Sequence, residues 1–177
     1  MKKRIFAISG STRSQSANAA LIRFIAEITA DKYDLVVFEG LSELPHFNPD
    51  LDQDNPPAAV IAFRNQIQEA DGVLICTPEY VFSLPGSLKN ALEWTVSTLV
   101  FNNKPSGLIT ASANGQKGHA ELGLVMKTIG AKFTPKTRLL IQGVKGKLDK
   151  MGNLSDDETR QGVLDFLTSF DSLLKNK

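Results

Sequence analysis

Five short apolar runs punctuate the chain: Arg4–Ile8, Leu35–Phe38, Gly72–Cys76, Gly107–Ala111 and Arg138–Gln142. Most are continuous in Ile, Val, Leu or Phe rather than alternating, as in strands buried on both faces of a parallel sheet. Between them, apolar positions return every three or four residues, the spacing of one helix face. Leu21, Ile22, Ile25 and Ile28 form the first such set, and Val60, Ile61, Phe63 and Ile67 the second. Leu88, Ala91, Leu92 and Leu99 form the third, and Leu122, Val125, Met126 and Ile129 the fourth. Val163, Phe166, Leu167, Phe170 and Leu174 close the series behind "SDDE" at 155–158, a helix-start signal. The order βαβαβαβαβα, with right-handed crossovers, predicts an α/β three-layer sandwich with helices on both faces of the sheet. Five strands fit the order 2-1-3-4-5, whose ligand crevice lies beyond the carboxyl ends of strands 1 and 3. No repeat and no second core interrupts the pattern, so residues 1–177 read as one domain. The stretch 39–57 holds four prolines and several carboxylates and reads as a surface excursion.

The first turn in this frame is "ISGSTRSQSAN", residues 8–18, leaving strand 1 and entering helix 1. A helix N-terminus presents unpaired N–H groups and partial positive charge. Ser11, Thr12, Ser14, Ser16 and Asn18 add hydroxyl or amide donors, and Arg13 adds a charged fork suited to phosphate oxygens. That donor set predicts a terminal phosphate as guest. The plainer reading is an N-cap, Ser14 or Ser16, in a solvated loop. There is no G-x-G-x-x-G for a dinucleotide and no G-x-x-x-x-G-K-[ST] for a nucleoside triphosphate. A phosphatase on this loop would need a cysteine in it, and it has none.

Across the same crevice runs "CTPEYVFSLPGSLKNALEW", 76–94. Pro78 and Pro85 stiffen it, and Tyr80 and Phe82 put aromatic surface where loops are usually polar. A rigid, partly aromatic loop beside an anion site suits a planar ring attached to a phosphate. Backbone groups of Pro78, Glu79 and Tyr80 are placed to meet the ring's polar edge.

Together, "GSTRSQSAN" and "TPEYVFSLPGSLKNALEW" resemble the NAD(P)H-dependent FMN reductases of the flavodoxin-like superfamily, a group that includes quinone, chromate and azo-dye reductases. Their pattern is roughly G-S-x-R-x-x-S-x-N after strand 1 and P-E-Y-N-x-S-x-P-G-x-L-K-N-A-[IL]-[DE]-W after strand 3. The resemblance implies a flavodoxin-like fold with the FMN phosphate on Ser11, Arg13, Ser16 and Asn18. It implies the flavin ring against Pro78, Glu79, Tyr80 and Ser83. A third loop, "SANGQKGHAE" 112–121, would approach the ring through Ser112, Ala113 and Gly115. NADPH or NADH would donate electrons, and a quinone, free flavin, azo compound or chromate would accept them. No protein nucleophile is required, because the cofactor carries the chemistry. The resemblance also implies a homodimer, in some relatives doubled to a tetramer, with the flavin near the interface. Two positions depart from the pattern: Val81 stands where Asn is usual, and "QKGHAE" replaces a G-G-x-R-A stretch.

Composition narrows the alternatives. A net charge of +1 in 177 residues offers no nucleic-acid footprint and none of the acidity usual in flavodoxin-type electron carriers, which stay as the second reading. A receiver domain would carry aspartate at the end of strand 3, where Cys76 and Thr77 stand. Cys76, the lone cysteine, excludes an internal disulfide and reads as a small buried hydrophobe. "MKKRIFAIS" is too short for an export-signal core, and no run approaches ~18 apolar residues, so a cytoplasmic protein without membrane spans is expected. His46 reads as a surface residue, and His119 is a candidate to reach the nicotinamide or the acceptor. The carboxylates of "DLDQD", 50–54, read as a solvated loop and not a metal site. Trp94 and Leu88–Leu99 read as core or interface.

Overall fold

In the computed structural model, which describes residues 1–13, 15–149 and 151–175, all five strands form one parallel sheet in the order β2-β1-β3-β4-β5. The strands are β1 Lys3–Ser9, β2 Tyr33–Phe38, β3 Gly72–Thr77, β4 Ser106–Ser112 and β5 Arg138–Gln142. The helices are α1 Ala17–Ile28, α2 Ala58–Glu69, α3 Gly86–Glu93, α4 Gln116–Thr128 and α5 Asp157–Lys175.

Successive strand side chains point to opposite faces, so a continuous apolar run feeds two cores. Ile5 and Ala7 of β1, with Leu74 and Cys76 of β3, pack under α1 and α5. Phe6 and Ile8, with Val73 and Ile75, pack under α2, α3 and α4. Each fully buried aliphatic or aromatic side chain contributes roughly 1.5–3 kcal/mol. The central strand β3 is buried along its whole length. The edge strands β2 and β5 are only half-buried, because the covering helices reach part of each edge.

Two helix expectations change. α3 ends at Glu93, so Leu99 lies beyond it and is exposed rather than continuing the apolar face. Ile61 likewise points out of α2 to solvent. Trp94 is core: its Nε1–H donates to Pro45 O at 2.7 Å, and Phe47 packs edge-on against it. These contacts, with Asn90 Nδ2 donating to Pro45 O at 2.9 Å, hold the excursion 39–57 against α3. Within it, Asp52 is not solvated: Arg64 Nη2 donates to its carboxylate at 2.6 Å. His46 is exposed, as its surroundings in the sequence suggest.

Candidate functional site

All strands are parallel, so their carboxyl ends open on one rim, and the loops that follow them meet there. The turn after β1 is drawn onto the end of β3 by a hydrogen bond from Gly10 N to Cys76 O at 2.8 Å. A Cβ at Gly10 would sit 2.2 Å from Thr77 Oγ1, so this close approach requires glycine. Beyond it, Ser9 Oγ donates to Ser11 O at 3.1 Å, and Arg13 N donates to Ser11 Oγ at 3.3 Å. Ser16 is the N-cap of α1, its Oγ accepting from Ala19 N at 3.0 Å. The other cap candidate, Ser14, lies outside the described residues.

Asn18 is 3% exposed, and its amide is used within the fold. Its Nδ2 donates to Ala111 O and its Oδ1 accepts from the Cys76 thiol, each at 3.2 Å. It thereby ties the start of α1 to the ends of β3 and β4. Burial pushes the Cys76 thiol pKa up, so the sulfur keeps its proton and donates.

After β3, Tyr80 and Ser83 exchange two backbone hydrogen bonds of 3.0 Å around a tight turn. Its central residues, Val81 and Phe82, have φ of 52° and 58°. Positive φ at both positions is the geometry of a type I′ turn, which favours Asn-Gly. The tip is apolar and open: Val81 is 95% exposed and Phe82 74%. Glu79 turns behind the rim, its carboxylate accepting from Gly115 N at 3.2 Å and Gly118 N at 2.7 Å. It caps α4, whose own N-cap, Gly115 at φ 82°, has no side chain to do so. Ser83 Oγ donates to Glu121 Oε2 at 2.7 Å, anchoring the turn on α4.

These segments enclose a cavity of about 890 Å³, within the ~300–1,000 Å³ typical of small-molecule sites. Of the residues predicted from the sequence, Ser11, Arg13, Ser16, Asn18, Pro78, Tyr80, Ser112 and Ala113 line it. Glu79, Ser83 and Gly115 stand behind it and hold the lining loops. Most of the expected third loop is helix, since α4 starts at Gln116. His119 is turned toward the sheet, Nδ1 3.0 Å from Thr110 Oγ1, and does not line the cavity. Burial and the nearby Arg138 guanidinium lower its pKa from 6.5 to about 4, so the ring is neutral at physiological pH.

One wall was not foreseen. The segment after β5 brings Gly143, Val144, Lys145, Leu148, Met151 and Gly152 to the cavity, and Ala20 and Arg23 of α1 face it. The signal existed in the sequence: in a parallel sheet the loop after the fifth strand opens on the same rim as the others. Arg13, Arg23 and Lys145 all line this space, and among the described residues no ion pair engages their side chains. No group of His, Cys, Asp or Glu among the described residues is arranged to hold a metal ion.

The donor set fits a phosphomonoester carrying a planar ring. At one end stand the Ser11 hydroxyl, the Arg13 guanidinium and the first N–H groups of α1, which have no intrahelical acceptor. At the other, Pro78 and Tyr80 supply flat apolar surface beside Ser112 and Ala113.

Comparison with known proteins points the same way. Residues 3–144 match the family described as NADPH-dependent FMN reductase. An NAD(P)H-dependent FMN reductase of Pseudomonas aeruginosa is 32% identical, over 89% of this chain and 88% of the relative. A 2-hydroxy-1,4-benzoquinone reductase of a Burkholderia species is 30% identical, over 100% of this chain and 99% of the relative. Among solved structures, the flavoenzyme NAD(P)H:(acceptor) oxidoreductase of Paracoccus denitrificans superposes with a TM-score of 0.82 at 24% identity, covering 98% of both chains. Fold, rim cavity and sequence relationship lead to one conclusion: the chain belongs to the NADPH-dependent FMN reductase family.

Proposed function

We propose that this FMN-dependent NAD(P)H oxidoreductase holds its FMN in the rim cavity and passes electrons from the nicotinamide to a small-molecule acceptor, of which a quinone is the best candidate. The observation that carries the reading is that the Ser11–Asn18 turn and Pro78–Tyr80, far apart in sequence, share one cavity. In this reading Ser11, Arg13 and Ser16, with the N–H groups of Ala17 and Asn18, take the phosphate. The Asn18 side chain keeps the helix start seated on β3 and β4. Pro78, Tyr80, Ser112 and Ala113 flank the ring, while Glu79, Ser83 and Gly115 fix the loops that carry them. Bound FMN supplies the two-electron chemistry, so the chain's task is to bind, orient and exclude water. Free flavin, azo compounds and chromate are further acceptors of the same open site.

We also infer that residues 1–177 act as one domain, in the cytoplasm, as a homodimer, with a tetramer as the alternative assembly. The solvent-exposed apolar tip Tyr80–Phe82 supports a partner surface at the cavity's edge. Neither nucleic acid nor membrane is proposed as a partner, in keeping with the net charge of +1. Among the described residues, no helix is long and apolar enough to cross a membrane.

The test is spectroscopic. Purified protein, alone or after FMN addition, shows flavin bands that NADPH bleaches without air and a quinone restores. A protein that neither carries nor takes up FMN overturns the reading. One that binds FMN but needs a separate reductase is a carrier and not this enzyme.

A further inference from the structure

We propose that Glu121 is a positioning residue for flavin binding: its carboxylate holds the strained turn at Val81 and Phe82 closed, and the closed turn sets Tyr80 in the cavity wall. The inference rests on the reading that the flavin ring lies beside Tyr80, which lines the cavity.

The turn is at odds with its own sequence. Val81 and Phe82 both have positive φ, 52° and 58°, and neither is glycine or asparagine. A residue with an ordinary side chain is disfavoured in that region by about ten-fold. Packing does not offset this at the tip, where both side chains are exposed to solvent. Backbone strain of this kind persists only where the surrounding contacts over-determine it.

Those contacts lie at the base of the turn. Tyr80 and Ser83 exchange two backbone hydrogen bonds of 3.0 Å, as the ends of a tight hairpin turn do. Glu121 of α4 adds two more from outside: its Oε2 accepts from Ser83 Oγ at 2.7 Å and from Leu84 N at 3.2 Å. Leu84 is buried, so the exit of the turn is fixed both in the core and on α4. Hydrogen bonds to a carboxylate are roughly twice as strong as neutral ones, and a pair of them is enough to offset the two left-handed residues.

Both departures from the family pattern meet here: Val81 in the turn, and "QKGHAE", 116–121, which ends in the anchoring carboxylate. Without the anchor the turn relaxes, and Tyr80 leaves the wall with it. Flavin then binds only the molecules whose turn is closed, and the apparent affinity falls by that fraction. Asn at position 81 tolerates the left-handed backbone, so it keeps the turn closed without help. Glu121 and residue 81 thus act on one equilibrium from opposite sides.

The experiment compares the full-length protein with Glu121→Ala, Val81→Asn and the double variant. Alanine keeps α4 helical, being the best helix former. Amide hydrogen exchange is read at Tyr80 and Ser83, whose N–H groups close the turn. Dissociation constants are measured for FMN and for riboflavin, which lacks the phosphate. Glu121→Ala is expected to speed exchange at both amides about ten-fold and to weaken both flavins alike, about three-fold. Adding Val81→Asn should bring both readouts back toward the parent, a rescue that the mere loss of a contact on α4 would not show. Ser83→Ala removes one of the two bonds and leaves α4 untouched. It should move both readouts part-way, and it decides the matter if Glu121→Ala does not fold. Three results overturn the proposal: exchange and affinity as in the parent; a loss that Val81→Asn does not restore; or weaker binding of FMN alone, which would make it an effect of charge on the phosphate. If the unmutated protein binds neither flavin, the functional reading falls and takes the flavin role of Glu121 with it, while exchange still decides whether Glu121 holds the turn.

Discussion

Val81 is a β-branched residue in the left-handed region, at φ 52°, with a side chain that is 95% exposed. The family pattern has Asn at this place, and the turn explains why: Asn tolerates this conformation, whereas a β-branched residue pays for it. Val81→Asn is expected to raise stability by about 1 kcal/mol, read as a higher urea midpoint with an unchanged slope. A lower midpoint would mean that the exposed valine packs on a partner copy. Asn18 teaches the converse. Its position in the motif suggests a phosphate ligand, whereas its amide joins α1 to Ala111 and Cys76 beneath the cavity. Residue type alone could not distinguish a group that touches a ligand from one that seats the helix that does.

At the scale of elements, the carboxylate of Glu79 is the link between the loop after β3 and the start of α4. It satisfies the N–H groups of Gly115 and Gly118, where α4 has no capping side chain of its own, and it places negative charge at a helix N-terminus. Glu79→Gln keeps the size but loses the charge and one of the two acceptors. The expected cost is about 1 kcal/mol in unfolding free energy, together with weaker FMN binding, because the turn that carries Ser112 and Ala113 loses its tether. Unchanged stability and unchanged FMN affinity in that variant would show that the tether is not used.

For the molecule as a whole, the pH dependence of stability carries the mark of His119. Its folded pKa is about 4 against 6.5 unperturbed, lowered first by burial and then by Arg138. Between those values the unfolded chain binds a proton that the native state does not, so unfolding is favoured as pH falls. The stability due to the neutral ring is complete above pH 6.5 and is lost progressively toward pH 4. His119→Asn removes this contribution. The variant's urea midpoint should therefore fall less between pH 7 and pH 4.5 than that of the parent. Equal slopes would show that the imidazole titrates normally.

The strands were legible in the chain itself, because short continuous apolar runs such as Gly72–Cys76, alternating with helix-spaced segments, suit strands covered on both faces of a parallel sheet, and five of them fit the order 2-1-3-4-5. The two principal loops were legible too, since "GSTRSQSAN" and "TPEYVFSLPGSLKNALEW" are local and rich in chemistry. Helix ends such as Glu93 were not, because Leu99 looks apolar to a pattern that cannot see solvent. Nor was the fate of Glu79 and His119, which tertiary neighbours decide. The wall from Gly143 to Gly152 depended most on three dimensions. Its residues carry no motif, and only the return of the chain over α1 brings Lys145 and Arg23 to one cavity. Short-range patterning thus determined which segments are strands, helices and anion-binding turns. Long-range packing decided which side chains face the shared space and which are spent on holding it open.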